Sequence, residues 1–384
     1  MFLADIPSPS RGAWDLGPIP IRAYALCILL GIVAACAITE YRMRQRGAPH
    51  WLVLDIAVWA VPFGIIGARL YHVITSPDDY FGADGNPVAV FKIWEGGLGI
   101  WGAVAGGAVG AWLACRQMGI PLTFVADALA PGLPVAQAIG RVGNWFNNEL
   151  YGSHTSLPWG LKVHEYDLSK GVAVDQNGDG STILPGGPFH PAFLYEALWD
   201  IGVAVLVWMM DRRYKFGRGR AFALYVMAYT VGRFWIEALR TDPAGHFLGM
   251  RTNNWVSILV FLGALAYFLR VRGPQEHLMQ HENGRLYVVD AAGEPIPGLG
   301  RDLQADVAAA EAEEAAEAGE DEESDEAEDV KAGSDAPARA GPEADEGGDS
   351  GPPPPEASAA KPDAEPDADP DVIGSDAEPA EKGK

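Results

Sequence analysis

The stretch from Ala126 to Gly152, ADALAPGLPVAQAI followed by GRVGNWFNNELYG, decides how this chain folds. Its first half, to Ile139, is an apolar run that reads as a membrane-embedded helix. Its second half gathers a guanidinium (Arg141), three amides (Asn144, Asn147, Asn148) and a carboxylate (Glu149) into one turn-rich segment. Trp145, Phe146 and Tyr151 separate them, and Gly140, Gly143 and Gly152 permit tight turns. Ionisable groups beside hydrocarbon are expensive, so their clustering marks a functional site. The segment reads as a holder for something anionic at a membrane interface.

Outward from this stretch the chain is built of further apolar runs of about the 18 residues that span a bilayer. They are Ile21–Glu40, Trp51–Ile74, Gly96–Arg116, Leu122–Ile139, Pro191–Met210, Ala221–Leu239 and Trp255–Leu269. The expectation is an all-α polytopic membrane protein with about seven transmembrane helices. The first run lies too far from the start, without a basic flank or small-residue cleavage site, to read as a removable signal peptide.

Residues 301–384 hold 28 acidic and 6 basic residues, and so carry nearly all of the chain's net charge of −23. Rich in Ala, Pro and Gly and almost without large apolar residues, this part cannot offset chain entropy by burial, and disorder is expected there. The expected division is a membrane domain over residues 1–272 and an acidic cytoplasmic tail over residues 273–384. No basic, aromatic-interleaved patch is present, which argues against nucleic acid as a partner. Cys27, Cys36 and Cys115 lie inside apolar runs at no ligand spacing and read as packing residues. No pattern calls for a metal or a cofactor.

Loop charges orient the bundle. Arg42, Arg44 and Arg46 follow the first run, Arg116 the third, and Arg212, Arg213, Lys215, Arg218 and Arg220 the fifth. The segments after the second run and before the fifth are poor in Lys and Arg. The positive-inside rule then puts the N-terminus outside and the C-terminus in the cytoplasm. Residues 143–189, rich in turn formers, read as a small outer-face cap, and Asp175–Gly180 within it as a turn rather than a calcium loop.

Other polar residues fall in the same outer half. Tyr229, Arg233 and Glu237 recur at four-residue spacing on one helical face, and Arg240 follows at three. Alone, the Arg–Glu pair would only fix packing; with Arg141 on the same side, it reads as an anion clamp. Two guanidiniums match the oxygens of a phosphodiester and keep their charge in an apolar site. Glu196 inside an apolar run is expected to pair with one of these arginines. His190 reads equally as an interfacial cap or a proton carrier, and Tyr24 as a boundary anchor. Glycines 96, 97, 99, 102, 106 and 107 suit close helix packing.

Taken together these pieces resemble the bacterial prolipoprotein diacylglyceryl transferases. Gly140–Gly152 is similar to that family's signature G-R-x-G-N-[FW]-x-N-x-E-x-x-G. Four more pieces fall in the family's order: Leu16-Gly-Pro with Tyr24, Trp94-Glu-Gly-Gly, His190-Pro with Leu194-Tyr-Glu196, and Tyr229 with Arg233, Glu237 and Arg240. The resemblance covers roughly residues 14 to 271. It implies a multi-pass protein of the bacterial plasma membrane, without a cofactor. The implied activity moves an sn-1,2-diacylglyceryl group from phosphatidylglycerol to the lipobox cysteine thiol of a preprolipoprotein, the first step of lipoprotein maturation. A thioether forms and glycerol phosphate leaves.

Carried over residue by residue, the resemblance implies catalytic roles for Arg141, Arg233, Glu149, His190 and Tyr24. It implies phosphatidylglycerol binding by Arg141, Asn144, Gly152, Tyr229, Arg233, Glu237 and Arg240. Many members carry a histidine proposed as a base in the Gly-Gly stretch, and here that position is Trp101. Glu149 and then His190 are the remaining candidates for a base. Two other readings of the same residues are an anionic-lipid or small-anion transporter and a membrane scaffold whose acidic tail recruits a partner. A transporter fold tends to show internal repeats, and none is visible in this sequence.

Overall fold

The computed structural model describes residues 5–308 apart from 18, 83–84, 94–95, 176–181, 241–244, 282–283, 301–304 and 307. Trp94-Glu95, most of the Asp175–Gly180 turn and the acidic stretch beyond residue 308 therefore lie outside the described residues. The helices are α1 (Ala23–Gln45), α2 (Leu52–Thr75), a single turn α3 (Asp78–Phe81), α4 (Ile100–Met118), α5 (Leu122–Leu129), α6 (Gly132–Phe146), α7 (Ala192–Tyr214), α8 (Arg220–Leu239) and α9 (Thr252–Arg270). Their ends follow local chemistry. Pro191 precedes the first residue of α7, where its missing N–H costs nothing. Gly119 ends α4 in the left-handed conformation, as a C-terminal glycine does.

Among the described residues four helices, α1, α2, α7 and α9, are long and apolar enough to cross a membrane, and the bent pair α5–α6 makes a fifth if it is one span. The other two expected spans, α4 and α8, are 19 and 20 residues long but less apolar. Glycines dilute α4, and Arg233 and Glu237 interrupt α8. The outward faces are lipid-like: Leu29, Val33, Val58, Ile66, Leu259 and Leu262 are all exposed.

The run expected as one helix to Ile139 is broken, with α5 and α6 meeting at 49° around Ala130–Pro131. Proline lacks the donor a continuous helix needs and clashes with the preceding turn. Helix α6 then continues past Gly140 to Phe146. Only Asn147–Gly152 is irregular, with Asn148 and Leu150 at positive φ. Arg141 and Asn144 are thus held on a helix and not on a turn.

Helices α2 and α4 pack through glycines. A Cβ on Gly102, Gly106 or Gly110 would meet the carbonyl oxygens of Gly67, Phe63 or Trp59 at 2.1, 2.2 and 2.5 Å. The expected close helix packing is there, in a small-residue row at four-residue spacing.

One end of the bundle carries the cap. Residues 5–22 join it, Ile6–Pro7 pairing in parallel with Leu161–Lys162. Leu161, Val163 and Phe189 form a small buried core against Trp145, Tyr151 and Phe193.

The opposite end holds the expected arginine-rich loops and one unexpected element. Past Gly273, where a tail was expected, His277–Gln280 and Leu286–Val289 form an antiparallel hairpin. Leu278, Leu286, Val288 and Ile296 are buried against Met43, Leu52 and Phe124, which carries the folded body to about residue 300. Buried carboxylates tie this end together. Asp211 of α7 accepts from Arg42 (2.6 Å) and Arg46 (3.0 Å) of α1, and Asp127 of α5 accepts from the Gly219 and Phe222 amides at the start of α8.

Candidate active site

At the cap end, α6, α7 and α8 bring three charged side chains to one point. Arg141 leaves the last part of α6 and Arg233 the middle of α8, and both turn to Glu196 in the second turn of α7. Arg141 Nε lies 2.5 Å from Glu196 Oε2, and Arg233 Nη1 3.4 Å from Oε1. Glu196 is buried, while the two guanidinium side chains keep about a fifth of their surface exposed. The carboxylate bridges the two cations across the helix interface and holds them at one opening.

Arg233 also pairs with Glu237 one turn on, Nη2 to Oε2 at 2.7 Å. Glu237 is fully buried and takes Arg251 (3.0 Å) and Asn253 (2.9 Å) as well. The intrahelical pair and the interhelical clamp therefore coexist. Arg251 and Asn253, at the start of α9, carried no spacing signal in the sequence. Tyr229 and Arg233 line the same small cavity as Arg141, Glu196, Trp199 and Asp200; its volume of about 10 Å³ is near the least that holds one water.

The rest of the Gly140–Gly152 segment forms a second cluster beside the first. One oxygen of Glu149 accepts from the amides of Asn144 (2.9 Å) and Asn147 (3.1 Å). Asn148 is structural: it donates to the Pro9 carbonyl and accepts from the His164 amide. Tyr24, in the first turn of α1, is within electrostatic reach of both Glu149 and Arg141. Gly152 is where three segments cross. Its amide donates to the His190 carbonyl, and a Cβ there would meet His190 Cβ at 2.8 Å and the Leu239 carbonyl at 3.0 Å. It also bridges in antiparallel fashion to Arg240, whose carbonyl accepts from Arg251.

The ring of His190 shares a hydrogen bond with the Tyr195 hydroxyl (3.2 Å), which also accepts from the Trp159 indole. These contacts place His190 under the cap, oriented by its neighbours. Trp101, at the position of the family histidine, lies at the start of α4 and is exposed. The glycine stretch before it is held by Arg69 of α2, a cation in an apolar helix. Arg69 donates to the carbonyls of Ala89, Val90, Gly96 and Gly97.

An apolar groove of about 510 Å³ runs between α7 and α8, lined by Tyr195, Leu198, Trp199, Gly202, Leu206 and Trp235. Trp199 borders both this groove and the charged cavity, its indole donating to the Ala228 carbonyl.

A membrane-type helical bundle with a paired-guanidinium site at one end is the class that fold and site define. A family profile described as prolipoprotein diacylglyceryl transferase matches residues 11–270. Similar curated proteins are named phosphatidylglycerol–prolipoprotein diacylglyceryl transferase. One from Streptomyces coelicolor is 56% identical over 266 residues, covering 69% of this chain and 80% of its own. One from Mycobacteroides abscessus is 56% identical over 269 residues, covering 70% and 78%. One from Frankia alni is 51% identical over 305 residues, covering 77% of each. The chain belongs to the prolipoprotein diacylglyceryl transferase family.

Proposed function

We propose that this chain transfers the sn-1,2-diacylglyceryl group of phosphatidylglycerol to the lipobox cysteine thiol of preprolipoproteins. The observation that carries the reading is the convergence of Arg141, within the family's signature, and Arg233 on Glu196 from two helices. The chemistry is a substitution at glycerol C3: the S–C3 bond forms, the C3–O bond breaks, and its electron pair leaves on phosphate. The arginines neutralise charge building on that phosphate, and Asn144 adds a neutral donor. A donor fixed in a dry site contributes on the order of 3–4 kcal/mol to such a step.

Tyr229 and Tyr24 border the phosphate, and Gly152 lets the α6 loop approach α8. Glu237 with Arg251 sets the angle of Arg233, and Arg240 joins the same edge. His190 orients the cap. The apolar groove along α7 and α8 suits an acyl chain of the lipid, since it begins at Trp199 beside the charged cavity.

In this reading all seven spans cross the bacterial plasma membrane, with α5 and α6 forming one. The arginines at the hairpin end, among them Arg42, Arg46, Arg212 and Arg218, favour a cytoplasmic hairpin end and an outward cap. Both the lipid headgroup and an exported lipobox reach the outer site. The acidic stretch beyond residue 308 is then cytoplasmic.

The test is a lipobox peptide incubated with the full-length protein in phosphatidylglycerol vesicles. A diacylglyceryl mass increment is expected, and Arg141→Lys and Arg233→Lys should each lower the rate about 10²-fold or more, because lysine keeps charge but not the fork. Unmodified peptide with lipid flux across the vesicle would overturn the reading in favour of transport.

A further inference from the structure

Among the described residues Glu196 pairs with Arg141 and Arg233 alone, the two cations that the proposed reaction needs for phosphate. Glu237, by contrast, keeps Arg251 and Asn253 whatever Arg233 does. One turn deeper on α7, Asp200 is 2% exposed and its Oδ2 is buried without a hydrogen-bond partner. Asp200 lines the same one-water cavity as Glu196. The groups facing the pair are Arg141 from α6 and Tyr225, Tyr229 and Arg233 from α8.

We infer that the Glu196–Asp200 pair receives the thiol proton, and that phosphatidylglycerol itself switches it on. The inference rests on the reading of Arg141 and Arg233 as the phosphate site. When the phosphodiester takes the two guanidiniums, Glu196 loses both counterions while it is itself buried. A buried carboxylate without a cation binds a proton strongly. Asp200, a second carboxylate in the same cavity, deepens that demand and is a positioning residue. It adds negative charge to the cavity that Glu196 also lines.

The step balances. Sulfur bonds to C3 as the C3–O bond breaks, the C–O electron pair stays on the phosphate oxygen, and the thiol proton moves to Glu196. The phosphate becomes a dianion against two guanidiniums while Glu196 becomes neutral, so the site's total charge does not change. The acceptor also appears only once lipid is bound, because in the empty site Glu196 is paired with both arginines. This supplies the proton acceptor that a histidine at Trp101 would otherwise provide.

The experiment uses the full-length protein in phosphatidylglycerol vesicles with two lipobox peptides, one carrying cysteine and one selenocysteine. A selenol is ionised at neutral pH and does not need an acceptor. At pH 7, Asp200→Asn and Glu196→Gln should each slow the cysteine peptide about 10²-fold, the usual size of a lost acid–base group. In Asp200→Asn the selenocysteine peptide should lose less than about threefold relative to wild type, and in both variants the cysteine loss should exceed the selenocysteine loss and shrink as pH rises past the thiol value of about 8.5. KM for phosphatidylglycerol should change little in Asp200→Asn. Equal losses with both peptides at every pH would mean a structural role and would overturn the inference. If Asp200→Asn does not insert, Glu196→Gln decides alone by the same ratio. Failure of the underlying clamp reading looks different: Arg141→Lys and Arg233→Lys would then leave turnover of both peptides intact.

Discussion

Both carboxylate oxygens of Glu276 lie 2.9 Å from the backbone nitrogen of Arg218, in a position with no solvent exposure. Glu276 also accepts from Thr123 at 3.1 Å. A residue six positions beyond the last helix thereby ties α5 to the loop that starts α8. The family match ends at residue 270, just before it.

The hairpin should therefore be part of the folded body. Ending the chain after Ala308 should leave the thermal midpoint unchanged, whereas ending it after Arg272 should lower it by about 5 °C or more. The loss reflects burial of Leu278, Leu286 and Val288, each worth roughly 1.5–3 kcal/mol. Differential scanning fluorimetry in detergent measures both, and equal midpoints for the two truncations would refute the assignment.

Within that hairpin His277 makes stability depend on pH. Burial first, then the nearby Arg46 and Lys215 cations, hold its imidazole below the ordinary 6.5. A depressed value means that the unfolded chain binds the proton more readily. The contribution is complete above about pH 6.5 and is lost as pH falls through the lowered folded value. The midpoint should drop between pH 7 and 5, and His277→Gln should flatten that drop.

The α2–α4 contact tolerates no side chain on its glycine row. In Gly106→Leu the added Cβ would sit 2.2 Å from the Phe63 carbonyl oxygen, so the helices must separate. A cost of about 1–3 kcal/mol or more is expected, as for overpacking. Gly263→Ala is the control: nothing lies within 4 Å of its new Cβ, and it should match wild type or gain up to about 1 kcal/mol from helix propensity.

Gly202 opens the apolar groove, and its Cβ would also meet nothing within 4 Å. Gly202→Leu should fold normally yet fill part of the groove. If an acyl chain lies there, KM for phosphatidylglycerol should rise about tenfold, roughly 1.4 kcal/mol, and rise less for short-chain lipid. An unchanged KM would move the acyl chain elsewhere.

Glu149 separates charge from geometry. A single oxygen takes both Asn144 and Asn147, so Glu149→Gln can keep both bonds while Glu149→Ala keeps neither. Glutamine should retain at least about ten times the activity of alanine, in line with one lost hydrogen bond to a charged group. Equal losses would make the negative charge itself essential and return Glu149 to the position of base.

The arginines of the site were legible because a cation in an apolar run has to be explained. Arg141 and Arg233 stood out for that reason, and Glu196 was expected to pair with one of them; it pairs with both. Asp200 obeys the same logic, four residues after Glu196 in the same run, and the pattern of two carboxylates on one face was there to be read. Arg69 is a third such case.

Other features were not local. His277–Val289 held a hairpin cue in Asn283-Gly284 between two apolar runs, but the partners that bury those runs lie on α1, α2 and α5. Arg251 is ordinary until α9 brings it to Glu237. The broken helix had its cue in Pro131 and Pro134, but the angle is fixed by what α5 and α6 pack against.

The crossing at Gly152 has a mechanical meaning. Ser153 donates to the Leu239 carbonyl and Gly152 to that of His190, so the ends of α6 and α8 and the start of α7 are laced into one rigid knot. The backbone that carries the two arginines is then held in place, and their side chains alone re-aim when an anion enters. An entering anion must displace the Glu196 carboxylate that already spans the two guanidiniums, so a phosphonate dianion should compete with the lipid better than a singly charged carboxylate.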